Sequence, residues 1–302
     1  MADTPGGIVL QGLTKHFGPI VAVDDVTLEV PHGEAYGFLG ANGAGKTTTI
    51  RLLLDLLRPT RGRATVLGID CHRDSRRARQ VIGYLPGELP VYPDLSADGL
   101  LAYLERLGSR PVDAVYRRRL LDRFDVSARD ARRRLRDHSH GMRQKVGLIQ
   151  ALATRPPVVI LDEPTTGLDP VMTLAFRETI AELTAGGDTT VFMSSHVLAD
   201  VESTCHRVGL VREGRIVTTG TIDELRQRAA RRVTVVFGMP VDADPPPDVT
   251  VRERTSTRWV LDVRGPTGPL VTRLAGLPVV DVQMDAFRLE DYVAQFYAGA
   301  VR

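Results

Sequence analysis

One eight-residue segment, residues 40–47, restricts the fold of this chain more than any other feature. It reads Gly-Ala-Asn-Gly-Ala-Gly-Lys-Thr, follows an apolar run that ends at Leu39, and opens a stretch with helical spacing of apolar residues. This is the G-x-x-x-x-G-K-S/T pattern in the strand–loop–helix context that it requires. Glycines let backbone N–H groups curl around phosphate oxygens, and the helix N-terminus adds partial positive charge. The segment predicts an α/β fold with a phosphate-binding loop.

The same loop indicates the chemistry of the ligand. Lys46 is expected to reach the β- and γ-phosphates of a nucleoside triphosphate, and the Thr47 hydroxyl to hold Mg²⁺. The alternative, a glycine-rich turn that happens to precede a helix, is disfavoured by strand, loop and helix in this order. The predicted nucleotide contacts of the segment are Gly40, Asn42, Gly43, Ala44, Gly45, Lys46, Thr47 and Thr48.

Two adjacent acidic residues follow a second apolar segment, residues 158–161. A buried strand here would place Asp162 at its carboxyl-terminal end beside the phosphates, where it can orient Mg²⁺ through water. Successive strand residues face opposite ways, so Glu163 points in a different direction. We expect Glu163 to be the general base that polarises the attacking water, which distinguishes hydrolysis from binding alone.

Three more segments give the chain a family resemblance. Residues 139–144 read Ser-His-Gly-Met-Arg-Gln, residues 162–170 read Asp-Glu-Pro-Thr-Thr-Gly-Leu-Asp-Pro, and residues 194–196 read Ser-Ser-His. With the phosphate loop, they resemble in order the signature motif, the D-loop and the switch histidine of ATP-binding cassette (ABC) ATPases. The resemblance covers about residues 8–225. It implies ATP and Mg²⁺ as ligands.

In this family two cassettes close head-to-tail, so each ATP lies between the phosphate loop of one chain and the signature helix of the other. The resemblance therefore implies that Ser139 and Gly141 contact the γ-phosphate of a second copy, with Asp169 in the D-loop beside them. His196 would contact the γ-phosphate held by its own chain. Phe17 matches the aromatic residue that stacks on adenine, unless it is a core phenylalanine.

Two departures from the family pattern bear on this site. The signature motif carries His138 and His140 where the family has leucine and glycine, and a metal site built from the pair is disfavoured because no cysteine or acidic ligand has fitting spacing. The family also has a glutamine after Pro86, where this chain has Gly87 followed by Glu88. We expect the Glu88 carboxylate to substitute as a Mg²⁺ ligand, because it offers a hard oxygen.

The pattern of strands and helices predicts two domains. The resemblance places an ABC ATPase domain at residues 1–228, with a P-loop NTPase core, a β-rich subdomain and an inserted helical subdomain at about 95–155. Leucines at helical intervals, such as Leu100 and Leu104, support the insertion. A proline-rich run at 240–248 suggests a boundary, and residues 229–302 are expected to form a small α+β accessory domain.

Composition and charge narrow the class of partner. With 43% hydrophobic residues, a net charge of +2 and no apolar run near 18 residues, we expect a folded cytoplasmic protein without membrane spans and without a nucleic-acid partner. Its basic residues are nearly all arginines, clustered at 76–77, 117–119, 132–134 and 231–232. Solvated helix faces or contacts with anionic lipid headgroups or phosphates both explain such clusters.

A single cassette without spans most resembles the separate ATP-binding subunit of an ABC-2-type exporter. That resemblance implies a homodimer at the inner face of the membrane, bound to an integral membrane permease near residues 84–95, where Val91, Tyr92 and Leu95 are apolar or aromatic. The alternative is a soluble ABC ATPase that acts on ribosomes or nucleic acid. It is disfavoured because the chain has one cassette and no sustained heptads.

Overall fold

The computed structural model describes residues 6–285, apart from 90, 91, 93, 109 and 229, together with 292 and 293. By contacts the chain divides into two compact units, Met1–Thr219 and Gly220–Arg302. This division precedes the boundary that the sequence suggests after residue 228. No described helix is both long enough and apolar enough to cross a bilayer.

The first unit alternates strands and helices along the chain. In chain order, its elements are β1 (Ile8–Phe17), β2 (Ile20–Val30), β3 (Ala35–Leu39), α1 (Lys46–Leu53), β4 (Arg61–Val66), β5 (Ile69–Asp70), α2 (Ser75–Gln80), β6 (Ile82–Leu85), α3 (Ala97–Leu107), α4 (Ala114–Arg123), α5 (Ala128–Arg132), a 3₁₀ turn (Leu135–Asp137), α6 (His140–Leu152), β7 (Val158–Asp162), α7 (Pro170–Ala185), β8 (Thr190–Ser195), α8 (Leu198–Thr204), β9 (Arg207–Arg212) and β10 (Arg215–Thr221).

A six-stranded sheet in the order β10-β9-β3-β8-β7-β6 forms the centre of this unit. Its strands β9, β3, β8, β7 and β6 run parallel to one another. Every residue of β3, β7 and β8 is buried, as expected for strands covered on both faces. Because parallel strands end at the same edge of a sheet, the segments after β3, β6, β7 and β8 meet there.

A second sheet, in the order β2-β1-β4-β5, is antiparallel and is the β-rich part of the unit. It shares a continuous apolar core with α1 and the central sheet, which includes Ile8, Leu10, Phe38, Ile50 and Phe192. The helix α1 is shorter than the sequence indicates. The helical spacing of apolar residues continues to Leu57, but α1 ends at Leu53, because Asp55 adopts a φ of 53°, which a right-handed helix does not allow.

Four helices, α3 to α6, occupy the region between Ala97 and Leu152. Each begins at a residue whose side-chain oxygen accepts a backbone N–H of the first turn, which is the usual signal for a helix start. These N-cap residues are Ser96, Asp113, Ser127 and Ser139. The inserted region is therefore defined by local capping as well as by its leucine spacing.

The second unit contains α9 (Ile222–Arg228), β11 (Arg231–Phe237), β12 (Val249–Arg254), β13 (Arg258–Val263), α10 (Gly268–Leu274) and β14 (Val279–Met284). Its antiparallel sheet has the order β12-β13-β11-β14. The core is centred on Trp259, which packs edge-on against Phe237 at a ring-centroid distance of 4.8 Å, with Leu270 and Leu274 of α10 in the same cluster. The sequence pattern also indicates a helix near Leu289, which lies outside the described residues.

Candidate nucleotide-binding site

The loop of residues 40–47 joins β3 to α1 at the carboxyl edge of the central sheet. Two of its glycines are required by close backbone approaches. A Cβ on Gly40 would lie 2.4 Å from the Val211 carbonyl oxygen, and one on Gly45 would lie 2.4 Å from that of Ala22. Gly45 also has a φ of 103°, which disfavours any side chain. The loop can therefore take this path only with glycine at both positions.

Lys46 is the first residue of α1, and its side chain is only 6% exposed. Its Nζ donates to the carbonyl oxygens of Gly40, at 2.7 Å, and Ala41, at 3.2 Å. It also lies 3.3 Å from Oε1 of Glu163. The Lys46 ammonium group thus lies inside the loop of residues 40–47, beside the Glu163 carboxylate.

Asp162 is the last residue of β7 and is 2% exposed. Its carboxylate accepts a hydrogen bond of 2.5 Å from the Ser194 hydroxyl on the neighbouring strand β8. Glu163 follows with a φ of 52°, which turns its side chain away from that of Asp162. The two carboxylates therefore have different surroundings, one enclosed by the sheet and one facing the loop.

The Glu163 carboxylate lies between two nitrogen groups. Its Oε1 is 3.3 Å from Lys46 Nζ, and its Oε2 is 2.7 Å from Nδ1 of His196. The His196 backbone N–H donates to the same Oε2 at 3.4 Å. His196 follows β8 directly, so adjacent strands deliver the glutamate and the histidine. Asp162, Glu163, Lys46 and His196 are thereby collected at one edge of the sheet.

Ser139 and Gly141 lie at a different place, the N-terminus of α6. The Ser139 hydroxyl caps this helix by accepting the Met142 N–H at 3.2 Å, and Ser139 is exposed. Within the described residues, no hydrogen bond links Ser139 or Gly141 to the loop of residues 40–47. Asp169 similarly caps α7, accepting the Met172 N–H at 2.9 Å.

The signature motif packs against the D-loop of the same chain. A Cβ on Gly141 would lie 2.4 Å from the Gly167 carbonyl oxygen, and one on Gly167 would lie 2.4 Å from Cδ2 of His140. His138 is instead buried, and its Nε2 lies 3.1 Å from the Asp130 carbonyl oxygen. The two histidines therefore have separate surroundings, and no group of metal-binding side chains occurs in the described part of the chain.

The residues after β6 lie next to Asp162. A Cβ on Gly87 would be 3.4 Å from Oδ2 of Asp162, an ordinary contact distance. Glu88 is exposed, and its use as a Mg²⁺ ligand stays a prediction. Phe17 lies at the end of β1 and is 44% exposed, with Lys15 Nζ 5.0 Å from its ring centroid. It is not a core phenylalanine, so the ring is open to stacking.

Two contributors to this region escape sequence reasoning. Gln144, buried on α6, donates from Nε2 to the carbonyl oxygens of Glu163, at 3.2 Å, and Pro164, at 3.1 Å. Ser194 binds Asp162 through its hydroxyl and Glu163 through its carbonyl oxygen. The sequence signal for Gln144 is its polar side chain on a face of α6 that is otherwise apolar. Such a residue normally has a buried partner.

Comparison with known proteins identifies the family. The profile of the family described as ABC transporter matches residues 23–166. The chain is 38% identical over 241 residues to the daunorubicin resistance ATP-binding protein DrrA3 of Streptomyces coeruleorubidus, covering 78% of this chain and 75% of the relative. This chain belongs to the ABC transporter family. The resemblance inferred from the motifs is confirmed, and so is the fold class.

Two further comparisons extend the match. The chain is 35% identical over 217 residues to the bacitracin transport ATP-binding protein BcrA of Bacillus licheniformis, covering 72% of this chain and 70% of that one. It also matches a solved structure, the ATP-binding subunit of an ABC transporter, with a TM-score of 0.66 and 29% identity over 72% of this chain and 91% of that one. The chain is an ATP-binding subunit of this family and an ATPase.

Proposed function

We propose that this ABC ATPase binds ATP with Mg²⁺ in the loop of residues 40–47, hydrolyses it between two copies of the chain, and powers export through a separate membrane permease. The observation that carries the proposal is the convergence of Lys46, Glu163 and His196 within hydrogen-bond or ion-pair distance, beside Asp162. A lysine, two carboxylates and an imidazole at a glycine-rich loop can bind phosphates, hold Mg²⁺ and position water for phosphoryl transfer.

The donor set suits Mg²⁺. This ion usually takes one or two protein oxygens and completes its octahedron with water and substrate phosphates. Thr47, in the first turn of α1, and Asp162, at the end of β7, supply a hydroxyl and a carboxylate of that kind. When bound, Mg²⁺ would neutralise charge on the β- and γ-phosphates. The hydrogen bond from Ser194 holds the Asp162 carboxylate in one orientation.

Glu163 is placed to act as the general base. Its carboxylate is tethered at one oxygen by His196 and at the other by Lys46, so its orientation is fixed before substrate arrives. In hydrolysis it would accept a proton from the water that attacks the γ-phosphate. His196 would then contact the same phosphate group, and Lys46 would stabilise the charge that develops on the phosphate oxygens.

A second copy would complete the site. Ser139 lies at the exposed N-terminus of the thirteen-residue helix α6, where backbone N–H groups and the helix dipole favour a phosphate. Its hydroxyl accepts from Met142 N–H and keeps its proton for donation to another acceptor. Since Ser139 and Gly141 do not bond to the loop of their own chain in the described residues, a partner's ATP is the ligand that they fit.

The permease would dock in a groove beside β6. Its volume is about 500 Å³, and it is formed by β6, the end of α1 and α3. Apolar and aromatic side chains line it, including Leu54, Leu56, Tyr84, Leu89, Tyr92 and Leu100. An amphipathic helix fits such a surface. Burial, together with the nearby Asp162 charge, raises the pKa of Tyr84 to about 12, so its hydroxyl is neutral in this groove. Val91 lies outside the described residues.

The names of the relatives favour export over the ribosomal or nucleic-acid alternative. DrrA3 is named for daunorubicin resistance and BcrA for bacitracin transport. One name states resistance to a compound and the other states transport of one, and neither refers to ribosomes or nucleic acid. By analogy, we place this chain at the inner face of the cell membrane, attached through its permease and not by a span of its own.

The test is recovery from membranes with a matched pair of variants. The full chain, tagged and expressed in its native host, should co-purify with a polytopic membrane protein. Leu56→Glu should abolish this recovery, because Leu56 is 59% exposed and lines the groove. Val115→Glu, at an exposed apolar residue of α4 outside the groove, should not. Recovery with ribosomes, or equal loss in both variants, would contradict the proposal.

A further inference from the structure

Positive charge is concentrated in one short part of the first unit. Residues 51–79 contain eight arginines and three aspartates, a net charge of +5, whereas the whole chain carries only +2. All eight arginines are exposed. The rest of the chain is therefore net negative. We use the name arginine patch for six of these residues, Arg58, Arg61, Arg63, Arg73, Arg76 and Arg77.

In the other clusters, two of the three arginines at 117–119, two of the three at 132–134 and one of the two at 231–232 have acidic partners, which reduces their effective charge. Arg117 pairs with Glu105, while Arg119 and Arg123 share Glu182. Arg133 pairs with Asp130, Arg134 and Arg136 with Asp94, and Arg232 with Asp262. Such pairs account for much of the charge in the clusters at 117–119 and 132–134.

The arginine patch differs in this respect. Among the described residues, Arg58, Arg61 and Arg76 form no ion pair, and Arg77 forms only a long, exposed contact with Asp74 at 3.8 Å. The other two aspartates of the segment offset only part of its charge. Asp55 bonds to His72 Nδ1 at 2.8 Å and lies 3.9 Å from Arg79, which is not a patch member. Asp70 accepts the backbone N–H groups of His72 and Arg73 and has the charges of Arg63 and Arg73 nearby. The guanidinium groups of the patch therefore present net positive charge to solvent.

The helix α2, which carries Arg76 and Arg77 of the arginine patch, also contributes a residue to the groove assigned to the permease. Arg79, on α2, lines the groove and donates to the Leu54 carbonyl oxygen at 3.2 Å, which fixes α2 against the end of α1. Arg51 and the exposed Leu56 lie on the same rim. This surface combines exposed arginines and an exposed leucine with a groove for a membrane protein. It therefore faces the bilayer when the groove is occupied.

We propose that the arginine patch binds the headgroups of anionic phospholipids beside the permease. Guanidinium groups form paired hydrogen bonds with phosphate oxygens, and each basic residue near an anionic bilayer typically strengthens binding about fivefold. That this surface faces the membrane rests on the proposed function, because it assumes that the permease occupies the groove. The binding itself requires only the patch and the lipid, so it can be measured without any permease.

Vesicle co-sedimentation of the full chain tests the proposal. The chain should bind vesicles containing phosphatidylglycerol and not those of phosphatidylcholine alone, and binding should weaken as salt shortens the Debye length. The variant R58Q/R73Q/R76Q should lower the partition coefficient roughly a hundredfold, from about fivefold for each arginine. R231Q/R258Q/R264Q removes the same charge from exposed arginines of the second unit and should bind like the unaltered chain.

Binding of a fluorescent ATP analogue by both variants confirms that they are folded. Equal binding to the two kinds of vesicle, or an equal loss in both variants, would overturn the lipid assignment. Tighter binding to double-stranded DNA than to anionic vesicles, lost in R58Q/R73Q/R76Q, would overturn it in favour of nucleic acid. Absence of vesicle binding with retained permease recovery would refute this inference alone and leave the proposed function standing.

Discussion

Glu163 combines an unusual backbone with a fully engaged side chain. Its φ of 52° is uncommon for a residue with a side chain, and three contacts hold it there. Its N–H donates to the Ser194 carbonyl oxygen and hydroxyl, both at 3.2 Å, and its carbonyl oxygen accepts from Gln144. Backbone strain of this kind persists where surrounding contacts overdetermine it. Here the result is a carboxylate held in a fixed direction.

Replacement of this carboxylate by an amide separates binding from hydrolysis. Glu163→Gln should lower ATP turnover by about 10²- to 10⁴-fold, the usual contribution of a general base, and leave nucleotide binding intact. Turnover is measured by phosphate release and binding by a fluorescent ATP analogue. Glu178→Gln, at an exposed acid on α7, is the control. Unchanged phosphate release from Glu163→Gln would assign the base to another residue.

The segment after β6 allows a test of whether Glu88 takes the place of the family glutamine as a Mg²⁺ ligand. If Glu88 substitutes for the family glutamine, Glu88→Ala should raise the Mg²⁺ concentration needed for half-maximal turnover. The position of Gly87 beside Asp162 suggests that Gly87→Gln would reverse this loss, because its Cβ fits at 3.4 Å. Full Mg²⁺-dependent turnover in Glu88→Ala would exclude the substitution.

Single residues differ in how far the sequence predicts their positions. Asp162 ends β7, Glu163 and His196 directly follow β7 and β8, and Lys46 opens the helix after β3, so their convergence required only the correct strand order. The hydrogen bond from Gln144 could not be foreseen, because it joins residues nineteen positions apart through packing of α6 on the sheet. Contacts of that kind depend on tertiary structure, which local patterns do not specify.

At the scale of elements, α6 and the D-loop are in very close contact near the site. Gly141 meets the Gly167 carbonyl oxygen so closely that a Cβ would lie 2.4 Å away. Gly167 has a φ of 80°, which allows the D-loop to turn towards the helix. We therefore expect a displacement of one motif to displace the other.

An added methyl group tests this coupling. Gly141→Ala should displace the start of α6 and reduce turnover on the order of 10²-fold, since small misplacements of catalytic groups are costly. Binding of ATP by the single chain should persist, because the loop of residues 40–47 is untouched. Gly186→Ala meets its nearest atom at 3.6 Å and is the control. Equal turnover in both variants would contradict the coupling.

Prediction of the elements was accurate where the pattern was simple. The apolar run that ends at Leu39 and the one at residues 158–161 are the buried strands β3 and β7, and each strand ends within a residue of the run that predicts it. The strand β1 was not predicted. Gly12, with a φ of 57°, interrupts it, and the pairing with β2 shifts register between Leu10 and Leu13, so the alternation of apolar and polar residues is broken.

For the whole molecule, the central expectation is a dimer that depends on ATP. Glu163→Gln with ATP should show twice the mass of the 33.1 kDa chain by light scattering, and the mass of one chain with ADP. Ser139→Ala in this background should weaken the dimer roughly ten- to a hundredfold, by loss of a hydrogen bond to a charged phosphate. Ser203→Ala, on α8, is the control. A single-chain mass with ATP would contradict the shared site.

The hydrogen bonds of Gln144 have a consequence for such a pair. The same helix carries Ser139 at its exposed start and, little more than one turn later, the amide that holds the Glu163 backbone. Binding of the other copy's γ-phosphate at Ser139 would shift the start of α6. Through Gln144 this shift would reach Glu163 in the same chain as that helix. Each protomer would thus sense the state of its neighbour's nucleotide, and turnover should rise cooperatively with ATP concentration.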